Sequence, residues 1–342
     1  MKNDRRPIRR LLRTSSLVLV AAFALAACGS DGGASGSAAS SGAAAPGGAF
    51  PVTVSHKYGS TTIPAAPQRV VSLGYTDQDA ILALGTVPVG IREFTGQKPS
   101  ATWEWAQDRL QGQTPTVLPV GEVGTEAIAA LHPDLIIGIS AGLTQEQYDT
   151  YSKIAPVVAS PQGFIDYGTP WQDAARLTGQ ALGKSAEAEK LIGDLEARFT
   201  QVKQQYPALV GKAAAGVRPS TADNASFFVW GSQDLRARFL RSLGMTIPAE
   251  FDQLAGGNFY ATISTEEIGK LNQADVLVLI TASEAERTAF QSLPGYANLT
   301  DVQQGKVVTL DDQASAALSF SSVLSLPTVL DTLPGQLAGT LA

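Results

Sequence analysis

From residue 68 onward, short unbroken apolar runs alternate with stretches in which apolar positions recur every third or fourth residue. Runs of the first kind suit strands buried on both faces; stretches of the second suit helices with one apolar side. Residues 68–74 (Gln-Arg-Val-Val-Ser-Leu-Gly) predict a strand ending at a glycine. Residues 77–84 predict a helix stopped by Gly85, and residues 87–91 the next strand. Further along, 135–139 is another buried strand, 145–154 a helix and 155–159 a short strand. The second half repeats the order, with strand at 227–230, helix at 235–243, strand at 305–310 and a last helix from about 322. Alternation of this kind implies an α/β fold with mainly parallel sheets and crossover helices.

Two stretches make the repetition explicit. Residues 125–137 and 265–278 share Thr-Glu-x-Ile-x-x-Leu, then an Asp and an aliphatic run, with one extra residue before the Asp in the second. Each reads as a short helix leading into a buried strand. Solenoid repeats have periods of about 20–50 residues, so starts at 125 and 265 fit two similar lobes instead. The longest helical pattern, 185–206, lies between them, with Ala188, Leu191, Ile192, Leu195, Phe199 and Val202 on one side. Such a helix is ~33 Å long and is a natural strut between lobes, although a surface helix within one domain has the same periodicity. The expected division is an N-terminal lobe at 51–184, a linking helix at 185–207 and a C-terminal lobe at 208–342.

The first residues have a different character. Lys2, Arg5, Arg6, Arg9, Arg10 and Arg13 precede an apolar run at 17–27 that ends in Leu-Ala-Ala-Cys-Gly. The run is shorter than the ~20 residues a membrane span needs, and reads as a signal peptide over 1–27. The ending resembles the bacterial lipobox, in which the cysteine, here Cys28, becomes the lipidated first residue. An ordinary signal peptide with an incidental cysteine is the competing reading. Residues 28–50 are mostly Gly, Ser and Ala and read as a flexible tether. Cleavage before Cys28 leaves 19 basic and 30 acidic residues, a net charge near −11. That argues against nucleic acid and against electrostatic adhesion to anionic lipid. The lipid is then the only membrane contact expected, holding the body at the outer face of the cell membrane.

Several strings together resemble the bilobed substrate-binding proteins of ABC importers for ferric siderophores, cobalamin and haem. They are Arg69-Val70-Val71, Ala83-Leu84-Gly85-x-x-Pro88-Val89-Gly90, Glu126-x-Ile128-x-x-Leu131-x-Pro133-Asp134-Leu135-Ile136-Ile137, Ala274-Asp275-Val276-Leu277-Val278, Leu293-Pro294-Gly295-Tyr296 and Gly305-Lys306-Val307-Val308. They cover about 68–340. Gly74–Asp79 and Tyr167–Trp171 resemble the actinobacterial iron-siderophore branch. The resemblance implies two Rossmann-like lobes with mainly parallel sheets, joined by one long interlobe helix, with the ligand in the cleft between them. It implies a monomeric, non-enzymatic receptor that captures a ferric siderophore and delivers it to an ABC permease and its ATPase. Haem and cobalamin are the alternative ligands, and an extracytoplasmic metal-insertion enzyme is the alternative class.

In that family one Glu on each lobe pairs with permease arginines, and Glu126 and Glu266 stand at the matching places. Taken singly, an acid in the first turn of a helix also complements the helix dipole, worth ~0.3–1 kcal/mol. Ser264 and Glu267 have capping-box spacing, which assigns Glu267 a local role. Large, often anionic chelates are best held by arginine and aromatic faces, so Tyr75, Arg92, Trp103, Tyr167, Trp171, Trp230, Arg236 and Tyr260 are the expected ligand-binding residues. Phe94, Trp105, Arg238 and Phe320 lie in similar sequence contexts. Trp103 and Trp105, two apart, are not expected to share one side of a helix. Asp77 reads as a helix N-cap. No resident metal or cofactor is expected, since His56 and His132 are the only histidines. No nucleophile motif or phosphate loop appears.

Overall fold

The computed structural model describes Gly48, residues 50–220 and residues 225–342. The expected signal peptide and Cys28, and all of the expected tether except Gly48 and Phe50, lie outside the described residues. Five short strands build the first sheet: β3 (Val70–Ser72), β4 (Gly90–Arg92), β5 (Thr116–Leu118), β6 (Leu135–Gly138) and β7 (Val157–Ala159). Their order is β5-β4-β3-β6-β7, and every pairing is parallel. A preceding hairpin, β1 (Val52–His56) and β2 (Gly59–Ile63), caps this layer by packing Val54 and Ile63 beside Val70 and Leu135.

The second sheet contains β8 (Ala214–Pro219), β9 (Ser226–Trp230), β10 (Tyr260–Ser264), β11 (Val276–Leu279) and β12 (Val307–Thr309), in the order β10-β9-β8-β11-β12. Counted from the first strand of each sheet, the two orders are identical. They differ in β9, which alone runs against its neighbours. Its connection from β8 spans only 220–225, and a parallel return needs a crossover of a dozen residues or more. A hairpin is the geometry left open to so short a link.

The apolar runs behave as their pattern requires. Val70, Leu135 and Ile137 face one layer of helices, while Val71, Ile136 and Val157 face the other. In the second sheet Val276 and Val278 face one layer, Leu277 and Leu279 the other. Successive side chains on a strand point to opposite faces, so helices on both sides make these strands almost continuously apolar, with buried Ser72 at the end of β3 a polar exception.

The helix Ser185–Gln205 connects the two sheets. Its Ala188 packs with Val70 and Ile81 of the first lobe, while Leu195 and Phe199 pack with Ala237, Leu240 and Leu330 of the second. Leu191 touches both clusters. One rigid helix embedded in two cores resists wide hinge opening.

The repeated Thr-Glu units occupy equivalent places, each leading into the strand beside the central one. Gly124 and Ser264 enter them with the same backbone angles, φ −63° and ψ 143°. The first unit is an α-helix, Thr125–Ala129, and the second a 3-10 helix, Thr265–Gln273, kinked at Glu267. The extra residue before Asp275 is absorbed in that tighter winding. The expected capping box is corrected here: Ser264 accepts from the backbone of Glu266 at 3.3 Å, and Glu267 pairs with Lys270 at 2.9 Å.

Candidate ligand-binding cleft

The loops after the strands of both sheets converge between the lobes, as open α/β sheets place their ligand sites. After β3 the chain turns at Gly74, where a Cβ would overlap the Asp77 carboxylate. Asp77 is the first residue of the helix Asp77–Ala83, and its side chain accepts from the Ser140 backbone at 3.0 Å. Thr76, not Asp77, occupies the cap position, which corrects the N-cap expectation. Asp77 instead ties the loop after β3 to the loop after β6. Burial pushes its carboxyl up to about 6 against the pull of the hydrogen bonds from Ser140 and the backbone.

Arg92 ends β4 and lies buried across the Tyr75 ring, its guanidinium carbon 4.0 Å from the ring centroid. It donates to Tyr75 Oη at 2.7 Å and to the Leu73 carbonyl at 3.1 Å. Tyr75 in turn stacks on Phe94 (4.8 Å) and Tyr167 (5.8 Å). The series continues across the lobes: Phe94 meets Phe320 at 5.4 Å, Phe320 meets Trp105 at 5.1 Å, and Trp105 stacks on Trp103 at 5.2 Å with planes 4° apart. The two tryptophans thus share a side after all, because they sit in a turn between 3-10 segments where helical geometry does not apply.

Six aromatic rings therefore form one continuous wall, with Phe320 the contribution of the second lobe. A polar tie holds the lobes beneath it. Trp105 Nε1 donates to Asp79 Oδ2 at 2.8 Å, and Ser322 Oγ of the second lobe donates to the same oxygen. Asp79 is 1% exposed, and burial pushes its carboxyl up to about 6, opposed by those two hydrogen bonds.

Two recesses adjoin the wall. One of about 250 Å³ is lined by Tyr75, Arg92, Glu122, Gly142 and Tyr167. The other, about 580 Å³, bridges the lobes between Phe94, Lys98 and Trp103 on one side and Arg218, Arg236 and Gln313 on the other. A third, about 920 Å³, lies beside the linking helix and is lined by Trp171, Arg176, Phe199, Arg238 and Arg241. Although larger, it is lined by none of the six wall residues, and the pair of recesses bordered by the wall has the convergent aromatic and polar lining expected of a ligand site.

The structure brings together Tyr75, Arg92, Trp103, Tyr167 and Arg236 at these two recesses. It does not bring in the other three. Trp230 is buried beneath Arg236, whose guanidinium lies 4.3 Å from its ring. Tyr260 packs edge-on against Phe228 and Phe259 on the outer strand β10 and borders neither recess. Trp171 starts the helix Trp171–Ala181 and stacks on Phe199 of the linking helix, facing the third recess. In each case the ring was needed for packing.

Sequence reasoning missed Arg218, Lys98 and Gln313 as cleft residues and the interlobe role of Asp79. Only Asp79 left a trace, as an acid inside an apolar helix pattern.

The docking candidates Glu126 and Glu266 are both exposed, and neither takes part in an ion pair among the described residues. His56 is buried against Thr61, with Nε2 2.9 Å from its hydroxyl, and His132 stands in a turn with φ 46°. Among the described residues no three His, Cys, Asp or Glu side chains converge as metal ligands. No described helix is long and apolar enough to cross a membrane.

Residues 70–314 match the periplasmic binding protein family. The chain belongs to that family. It is 30% identical over 308 residues to the probable siderophore-binding lipoprotein YfiY of Bacillus subtilis, covering 86% of this chain and 88% of that one. It is 29% identical over 282 residues to the Fe(3+) dicitrate-binding periplasmic protein FecB of Escherichia coli, covering 79% and 85%. The fold superposes on PiaA of Streptococcus pneumoniae in complex with ferrichrome with a TM-score of 0.72, at 27% identity and with 85% and 98% of the two chains covered. Family members of this kind are extracytoplasmic substrate-binding components. The two-lobed α/β fold expected from the repeated element order is the fold observed.

Proposed function

We propose that this protein is the substrate receptor of an iron-uptake ABC importer: it captures a ferric siderophore in the interlobe cleft, leaves it chemically unchanged, and presents it to a permease. The observation that carries this reading is the six-ring aromatic wall shared by both lobes, bordered by recesses of about 250 and 580 Å³. A rigid, partly apolar chelate fits such a surface. A free metal ion would need converging ligands instead. The relatives named above bind siderophore, ferric dicitrate and ferrichrome, which supports iron chelates over cobalamin.

Two further parts belong to the proposal. Cys28 carries the lipid that anchors the protein outside the membrane, a role supported by the lipobox and by the lipoprotein YfiY. Glu126 and Glu266 dock the loaded receptor onto a cationic permease face. Their support is the equivalent placement of two exposed, unpaired carboxylates, one per lobe, which suits steering and orientation.

The test is tryptophan fluorescence. Trp103 and Trp105 border the cleft, so a ferric siderophore should quench emission with micromolar or tighter affinity, while ferric ion alone should not. Saturation by haem or cobalamin without response to any siderophore would refute the ligand assignment.

A further inference from the structure

Three of the four cations that border the cleft are already paired with carboxylates. Lys98 pairs with Glu104 at 2.6 Å. Arg218 makes a two-pronged pair with Glu286, at 2.9 and 2.6 Å, and Arg236 another with Asp234, at 2.8 and 2.7 Å. Each forked pair occupies Nε and Nη2 of its guanidinium and balances the charge locally, which leaves less attraction for a ligand carboxylate or catecholate. Arg92 is the fourth cation. It has no carboxylate partner among the described residues; its two terminal nitrogens donate to Tyr75 Oη and to the Leu73 and Ala141 carbonyls, and its buried Nε has no hydrogen-bond partner there.

The acids are more numerous. Beyond the three paired carboxylates, Glu122 lines the smaller recess and Asp312 the larger, and buried Glu93 follows Arg92 directly. Burial raises the Glu93 carboxyl above its ordinary range. Even with Glu93 set aside as neutral, the described groups do not offer a surplus of positive charge. What remains available to a ligand is the aromatic wall and neutral hydrogen-bonding groups, including Gln313 and Ser319.

We infer that the cleft selects a ferric chelate without net negative charge, of the tris-hydroxamate class, because three of its four lining cations are paired with its own carboxylates and the remaining acids offset the fourth. The inference rests on the siderophore reading. Three hydroxamates each lose one proton on binding iron(III) and leave an uncharged chelate. Three catecholates each lose two and leave it triply negative, and citrate complexes are also anionic. An anionic chelate would meet Glu122 and Asp312 with no surplus of positive charge to offset them, and like charges brought together across an interface cost affinity.

The experiment compares three probes by tryptophan quenching in the same buffer: ferrichrome, ferric enterobactin and ferric citrate. Ferrichrome should bind at least about tenfold tighter than either anionic chelate. Affinity for ferric enterobactin should rise with added salt as repulsion is screened. Glu286→Gln, which frees Arg218, should shrink the ferrichrome-to-enterobactin affinity ratio by about tenfold. Glu122→Gln, an exposed change that does not touch the Arg218 pair, should shrink it in the same direction by a smaller factor. An anionic chelate bound as tightly as ferrichrome, or a ratio unmoved in both variants, would overturn the charge assignment alone. Silence toward all three chelates would overturn the siderophore reading and this inference with it.

Discussion

Asp79 gives the sharpest energetic consequence of the interlobe packing. Its carboxyl keeps its proton up to about pH 6 in the folded protein, whereas an unfolded aspartate does so only to about 3.9. Between those values the folded chain binds more protons than the unfolded one. Stability is therefore fully present below about pH 4, falls as pH rises through about 6, and stays lower above it. A gap of about two pKa units corresponds to ~3 kcal/mol. Asp79→Asn keeps a carbonyl acceptor for Trp105 and Ser322 but cannot ionise. Its amide would face the place where Asp79 Oδ1 has no partner, which costs about 1–3 kcal/mol at every pH. Asp77 shows the same upward push, yet it is present in both proteins and cancels from their difference. Urea unfolding followed by tryptophan emission at about pH 4 and about pH 7.5 measures that difference. The variant should gain ~3 kcal/mol relative to the parent between the two conditions. A difference that does not change with pH would refute the claim that burial between the lobes raises the Asp79 carboxyl.

Other outcomes follow from the same geometry. Phe320→Ala removes a ring only 2% exposed from the centre of the wall; it should cost ~3–5 kcal/mol in unfolding experiments, and Phe320→Leu should recover most of it. Gly142 has φ +61° and a Cβ there would collide with Tyr167, so Gly142→Ala should cost about 1 kcal/mol or more and weaken chelate binding by displacing that ring; unchanged affinity would remove Tyr167 from the site. Charge reversal at both Glu126 and Glu266 should abolish iron uptake in cells while stability stays within about 0.5 kcal/mol, as for exposed positions without partners, and chelate titration is unaffected; lost binding would refute the separation of docking from capture.

Much of the architecture was legible because burial writes itself into periodicity. Runs such as 135–137 and 276–278 have to be strands covered on both faces, and the 185–206 pattern has to be a helix with one apolar side. Short edge elements were less visible. β5, with two of its three residues exposed, and the hairpin β1–β2 have little continuous apolar character. The reversal of β9 depended on the length of one loop. Among site residues, Tyr75 and Arg92 stood out as an aromatic ring and an arginine placed directly after strands predicted from the sequence. The same criterion also selected Trp230, Tyr260 and Trp171, since an aromatic ring after a strand serves a core as readily as a ligand.

The linear pattern of apolar and polar residues settled the α/β class, the duplicated order of elements, the strut helix and the paired positions of Glu126 and Glu266. These depend on neighbours within one turn or one strand, and local chemistry specifies them. Which rings meet was decided only in three dimensions. Phe94 and Phe320 are 226 positions apart in the chain yet 5.4 Å apart in the fold. The engagement of Arg218 by Glu286 and of Arg236 by Asp234 was decided there too. A sequence counts charges, but only geometry shows whether a guanidinium is free for a ligand or already held by its own protein. That difference turns an apparently arginine-rich anion site into a cleft suited to an uncharged chelate.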